Sequence, residues 1–291
     1  MNQFLLENIH CSYSKHPSAS SKVVLEVERM ALPRGEKVFI VGESGIGKST
    51  VLELLGLMNN TIVPTAGMKF LFFDEQEQPV DLLALWQHND DKELSAFRLK
   101  HFSFIFQSTN LMQNFTAFEN IALTRMLQGY SEEESFAKAK DVLRDLGLGH
   151  IGVDRMAHEL SGGQQQRLTF ARAILPDFSV LFGDEPTGNL DSENAVKAME
   201  LLSERLGAYQ GSSAIIVSHD MHLATTFADR IILIRRHRRA ERDEHGEYGY
   251  YGAIDETSVF LPDTARSIWS NGTESYDSRD FETYLRKGGQ R

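Results

Sequence analysis

The chain has 291 residues, of which 41% are apolar, 10% aromatic and 24% charged, with 30 Lys and Arg against 41 Asp and Glu for a formal charge of −11. Those proportions fit a globular protein with room for one large domain or two modest ones, and the acidic balance disfavours non-specific binding to nucleic acid, whose phosphates it would repel. The apolar runs fall far short of the roughly 18 residues of a membrane-crossing helix. The start Met1-Asn2-Gln3-Phe4 does not read as a secretion leader, and Cys11, the single cysteine, leaves no intrachain disulfide and suits a reducing compartment.

In chain order, residues 4–13 and 23–31 are predicted strands, rich in apolar and β-branched side chains and joined by a loop over residues 14–22. The apolar run Lys37–Val41 stops at Gly42, and a helix is expected over residues 48–57. Residues 102–106, 180–182 and 214–217 are further short apolar runs, the kind that a sheet covered on both faces produces. Helical patterns separate them at residues 131–146, 161–175, 192–206 and 222–228. This alternation predicts an α/β fold with a mainly parallel sheet, and the largely helical stretch from about 108 to 165 reads as an inserted helical subdomain. Composition changes after Ile234, where Arg235-Arg236-His237-Arg238-Arg239 opens a segment of 57 residues with 10 basic and 11 acidic side chains. Domain boundaries are therefore set at 1–234 and 235–291, and nearly all the net charge belongs to the first.

Gly42-Glu43-Ser44-Gly45-Ile46-Gly47-Lys48-Ser49, followed by Thr50, matches G-x-x-x-x-G-K-[ST] between a predicted strand and a predicted helix, the setting that gives such a match its meaning. Glycines let successive backbone N–H groups converge on a phosphate, and the helix points its positive end at the same anion. Lys48 would reach the β- and γ-phosphates of a nucleoside triphosphate, and the Ser49 hydroxyl would coordinate Mg²⁺. The strand 180–182 runs on to Asp184 and Glu185, at the carboxyl edge where α/β ligand sites form. There Asp184 would face the Mg²⁺ held by Ser49, and Glu185 would polarise an attacking water. In Leu160-Ser161-Gly162-Gly163-Gln164, Ser161 with Gln164 forms a capping-box pattern, and two glycines leave the first N–H groups of the helix bare. That segment reads equally as an ordinary capped helix or as an anion site.

Taken together, LSGGQ at 160–164, the phosphate loop at 42–49 and LFGDEPTGNLD at 181–191 resemble an ABC-type ATPase over about residues 1–234. The string Glu185-Pro186-Thr187-Gly188-Asn189-Leu190-Asp191, together with Asn114-Phe115-Thr116-Ala117-Phe118-Glu119-Asn120, is similar to the LolD/MacB-type members. The resemblance implies a P-loop NTPase core with an N-terminal antiparallel β region and the helical insertion. It also implies ATP and Mg²⁺ as ligands, and hydrolysis of ATP by two copies joined head to tail, either as a homodimer or with a related ATPase. Tyr13 would stack on adenine, Gln107 would contact Mg²⁺ and the attacking water, and His219 would hold the γ-phosphate. Ser161, Gly162 and Gly163 would bind the γ-phosphate of the facing copy, whose site Asp191 would help to organise.

The partner implied is an integral-membrane permease on a separate chain, with this chain peripheral on the cytoplasmic face and no nucleic acid involved. The alternative is a non-transport module that transmits force to a cell-envelope partner. Phe104, Phe106, Leu111, Met112, Phe115 and Phe118 are expected to be divided between the core of the helical subdomain and a permease groove. Residues 75–91 are longer than usual for the family and are expected to extend the antiparallel region around Trp86. The tail has no counterpart in the resemblance. Its arginine run reads as a solvated linker or a contact for anionic lipid, while eight aromatics in 57 residues predict partial folding or docking.

Overall fold

The computed structural model describes residues 1–13, 22–88, 90–208, 211–242, 248–263 and 267–289, so the loop expected over residues 14–22 lies almost wholly outside the described residues. The chain divides into two units, Met1–Leu94 with Val217–Arg291, and Ser95–Ile216.

In the first unit, Asn2–Cys11 lies antiparallel between Leu25–Pro33 and Lys69–Phe73, and Pro79–Asp81 adds to the far side of Lys69–Phe73. Phe4 and Leu6 are buried, then Ile9 and Cys11. The change of parity falls at Asn8, whose φ of 53° turns the following side chains to the other face. Among the described residues, 75–91 add only that one short strand, because Asp81 then accepts from Leu83 and Ala84 N–H and starts the helix Leu82–His88, with Leu82 and Leu85 buried and Trp86 half-buried. An Asp cap followed by apolar residues three apart outweighs strand extension here.

The second sheet of this unit pairs Lys37–Val41 in parallel with Arg230–Leu233. Four of the five residues of Lys37–Val41 are buried, as a strand covered on both faces requires. Arg230 grips Glu36 through two contacts of 2.8 and 3.3 Å, and Lys37 meets Asp229 at 3.0 Å, so the entry to this strand is pinned by charge.

After Ile234 the chain forms structure where a solvated linker was one expectation. Arg235–Arg242 pairs antiparallel with Tyr248–Ile254, which in turn lies parallel to Leu25–Pro33. Val259–Asp263 joins Arg230–Leu233 and leads through Ile268–Ser270 and Ser275–Asp277 to the helix Ser278–Arg286. The physical reason is twofold. Arg235 donates to Thr257, and Arg239 to the Val23 carbonyl, so the like charges have partners. Phe260, Trp269, Phe281 and Tyr284 are at most 6% exposed and form one aromatic cluster, with the Phe281 ring 4.9 Å from Phe260 and 5.3 Å from Trp269.

The second unit contains the parallel pair Phe102–Ile105 and Val180–Asp184, and among its helices are Ala117–Leu127, Glu132–Asp145, Gly162–Ile174 and Ser192–Ala208. Thr116 with Glu119, Ser131 with Glu134, and Ser161 with Gln164 each close a capping box, which fixes where three of these helices begin. Phe118 and Leu111 are buried, whereas Phe115 is 37% exposed, so the aromatic stretch is divided between core and surface. Among the described residues no helix is long and apolar enough to cross a membrane.

Candidate functional site

In the first unit, the loop after Lys37–Val41 reverses direction through Gly42, Gly45 and Gly47, with φ of 154°, 73° and 106°. A side chain at Gly42 would also press on the Ile234 carbonyl oxygen at 3.0 Å, so glycine is required there by space as well as by conformation. The helix Lys48–Leu55 starts directly at Gly47, without a side-chain cap and without an acidic residue in its first turn. A helix start of this kind, with no side-chain cap and no acidic residue, suits a phosphate better than a cation. The Lys48 side chain is buried, and its Nζ donates to the carbonyls of Gly42 (2.9 Å) and Glu43 (2.8 Å). This folds the ammonium over the loop, within reach of any anion the loop accepts. Ser44, Gly45 and Ser49 are exposed, while Ile46 and Thr50 are buried.

Tyr13 stands beside this loop. Its hydroxyl donates to Glu53 Oε2 at 2.9 Å and lies 3.0 Å from Thr50 Oγ1, so two residues of the loop's helix hold the phenol while the ring stays half-exposed. Burial, together with the Glu53 carboxylate, pushes the phenol up to about 12. Thr50 therefore serves Tyr13 with its hydroxyl, and Glu53 is an anchor that 40 residues of separation conceal in the sequence. His219 is exposed in the turn after Ser213–Val217. The N–H of Ser218 donates to Ile40 O, setting this turn at the same strand end from which the phosphate loop departs. Asp220 caps the next helix by accepting from His222 and Leu223 N–H.

The second unit brings three more of the expected residues to one edge. The register Ile105 to Gly183 places Asp184 as the last residue of one of two adjacent parallel strands, with Glu185 and Gln107 just beyond their carboxyl ends. Glu185 has φ 50°, a left-handed conformation that costs a non-glycine residue about 1–3 kcal/mol and that collects at functional sites. Its surroundings hold it there. Gly188 N–H donates to the Glu185 carbonyl at 3.1 Å, and the buried Gln166 donates from Nε2 to the Pro186 carbonyl at 3.1 Å. Gln166 was not singled out from the sequence, although it lies two residues beyond the Gln164 of LSGGQ.

Ser161, Gly162 and Gly163 are exposed, and a side chain at either glycine would meet nothing within 4 Å. Crowding among the described residues does not account for the two glycines. Asp191 accepts from the backbone and side-chain N–H groups of Asn194 at 2.9 and 2.7 Å, which lowers its carboxyl below the ordinary range and begins the helix Ser192–Ala208.

The family model described as ABC transporter matches residues 25–188. The chain belongs to the ABC transporter family. It is 38% identical over 232 residues to the lipoprotein-releasing system ATP-binding protein LolD of Psychrobacter arcticus, covering 78% of this chain and 93% of that protein. It is 40% identical over 230 residues to the macrolide export ATP-binding/permease protein MacB of Campylobacter fetus, and spans about a third (33%) of that longer relative. Among solved structures it resembles the dimeric bacterial ABC transporter cassette MJ0796, with a TM-score of 0.63 and 30% identity over 79% of this chain and 93% of that one. MJ0796 is also known in a post-hydrolysis dimer bound to ADP and Pi. These ABC family matches agree with the α/β P-loop fold expected from the sequence.

Proposed function

We propose that this chain binds ATP with Mg²⁺ and hydrolyses it as the nucleotide-binding subunit of an ABC transporter. It would work on the cytoplasmic face of a membrane against an integral-membrane permease carried on another chain. The observation that carries this reading is the loop from Gly42 to Ser49, with three glycines at positive φ, an uncapped helix start and Lys48 folded over its carbonyls. The LolD and MacB names and the MJ0796 cassette support the transporter context.

In this reading residues 1–234 are the ATPase, with a helical subdomain at about 108–165, and residues 235–291 are an extension. Lys48 and the loop amides bind the β- and γ-phosphates, and Tyr13 offers its exposed ring to the adenine. Ser49, Gln107 and Asp184 supply hydroxyl, amide and carboxylate oxygens, a donor set that suits Mg²⁺; when bound, that ion neutralises phosphate charge. Glu185 accepts a proton from the attacking water, and His219 steadies the γ-phosphate. Two copies, or one copy and a related ATPase, close head to tail around ATP. The open glycines at 162 and 163 allow the first N–H groups of that helix to approach the facing copy's γ-phosphate, beside Asp191. Loss of the γ-phosphate removes the charge that holds the dimer, so the nucleotide state sets the population of the closed form.

Replacing Glu185 with Gln should lower hydrolysis by at least about a hundredfold while leaving an ATP-dependent dimer visible by size-exclusion chromatography with light scattering. A Glu185→Gln chain that turns over ATP at the unaltered rate refutes the catalytic assignment. Purifying the tagged chain from solubilised membranes should bring down an integral-membrane protein; capture of none contradicts the permease.

A further inference from the structure

Glu43 presents an electrostatic problem at the phosphate loop. It lies within the loop itself, directly after Gly42, and its carboxylate is about one third exposed (32%). A nucleoside triphosphate brings several negative charges to that loop, so an unneutralised carboxylate there would oppose binding. The tail supplies the counter-charge. Arg236 Nη1 lies 3.1 Å from Glu43 Oε2, across 193 residues of sequence. The guanidinium also lies over Tyr250, whose ring centroid is 3.7 Å from the Arg236 Cζ.

Two further parts of the tail close on the same loop. Gly288, with φ 64°, sits so near that an added methyl would stand 2.8 Å from Glu43 Oε1. A methyl on Gly252 would fall on the carbonyl oxygen of Ile46. The backbone of the extension is thus seated against Glu43 and Ile46, and glycine is the residue that permits each approach.

We infer that Arg236 is a positioning residue for nucleotide binding, neutralising and orienting Glu43 so that the phosphate loop accepts a polyphosphate. The extension from Arg235 onward is by this reasoning part of the nucleotide site rather than an appendage to it. The inference rests on the reading of the loop as an ATP site. Its direction is set by charge: the more negative the ligand, the more the Arg236–Glu43 pair matters.

The test measures binding of fluorescent mant-ATP and mant-ADP to the full chain with magnesium present. Arg236→Ala should weaken mant-ATP binding about fivefold, equivalent to about 1 kcal/mol, the upper range for a partly exposed ion pair. The loss should be smaller for mant-ADP and should shrink in about 1 M salt, where the screening length falls to about 3 Å. Arg236→Lys should retain most of the affinity. Glu43→Gln alone should bind mant-ATP more tightly than the unaltered chain, and adding it to Arg236→Ala should recover the lost affinity to within about twofold. A residue that only packs the tail would not be rescued by removing its partner's charge.

Equal mant-ATP binding by Arg236→Ala and the unaltered chain overturns the inference. So does a loss that Glu43→Gln fails to relieve, or weaker binding by Glu43→Gln alone, a variant that leaves the tail's own residues intact. Absence of mant-ATP binding by the unaltered chain would instead overturn the nucleotide reading of the loop, and the role of Arg236 with it.

Discussion

Replacing Phe281 with alanine should open the core of the extension. Phe281 is fully buried, and its ring contacts Phe260, Trp269, Tyr276 and Tyr284 at centroid distances of 4.9, 5.3, 6.0 and 6.3 Å. A buried phenylalanine removes on the order of 200 Å² from water. With about a third of that area retained by alanine, the lost burial at about 25 cal/mol/Å² amounts to about 3 kcal/mol. The cavity left among four rings that cannot all collapse inward carries the total into the range of about 3–5 kcal/mol. Trp269 lies in the same cluster, and Trp86 is the only other tryptophan in the chain. Trp86→Phe therefore leaves one fluorophore that reports on this core alone. Urea titration followed by Trp269 emission should show the midpoint falling sharply in Phe281→Ala. A change below about 1 kcal/mol, the size expected of a surface substitution, would refute the packing argument for residues 259–286.

Lys48→Ala should weaken nucleotide binding by at least about tenfold, since it removes a charge-assisted donor at the phosphates; calorimetric titration with ATP checks this, and unchanged affinity contradicts it. Burial pushes the Cys11 thiol up to about 11, so at pH 8 the folded chain should react with a disulfide reagent about a hundredfold more slowly than a free thiol, or slower still; labelling at the free-thiol rate is the contrary result. Tyr284 is pushed up to about 12 by burial. The folded state keeps that proton where the unfolded chain, near 10, has lost it, so this contribution to stability is complete below pH 10 and disappears as pH rises to about 12. Melting temperature should therefore decline less steeply across that window in Tyr284→Phe than in the unaltered chain.

The residues readable in the sequence are those whose logic is local. The phosphate loop spans eight consecutive positions, and its glycines declare the turn they must make. The capping box of Ser161 and Gln164 is likewise closed within one helical turn and appears as expected. The strands Lys37–Val41 and Val180–Asp184 are short, apolar and buried, which marks them wherever they fall. What was not legible depends on distant partners. Nothing near Tyr13 announces that Glu53 and Thr50 will hold its hydroxyl. The run from Arg235 to Arg239 carries the composition of a linker, and it becomes a strand by pairing with Tyr248–Ile254 while Thr257, Glu43 and Val23 give its arginines partners. The left-handed backbone of Glu185 is invisible in the string Gly-Asp-Glu-Pro, because a non-glycine residue is driven there by the turn around it rather than by its own preference.

The pairing of Tyr248–Ile254 with Leu25–Pro33 also sets a timetable for synthesis. Gly252 is the partner of Leu25, 227 residues later in the chain. Until those residues emerge from the ribosome, Leu25–Pro33 is the outermost strand of its sheet on that side, with the backbone groups of residues 25–27 that face outward bare. At about 5–20 residues per second, that exposure lasts on the order of 10–45 s. An open strand edge is a template for pairing with another nascent chain, so each newly made molecule passes through a period in which the start of this strand is exposed to such pairing, and the period ends when Tyr248–Ile254 arrives to cover residues 25–27.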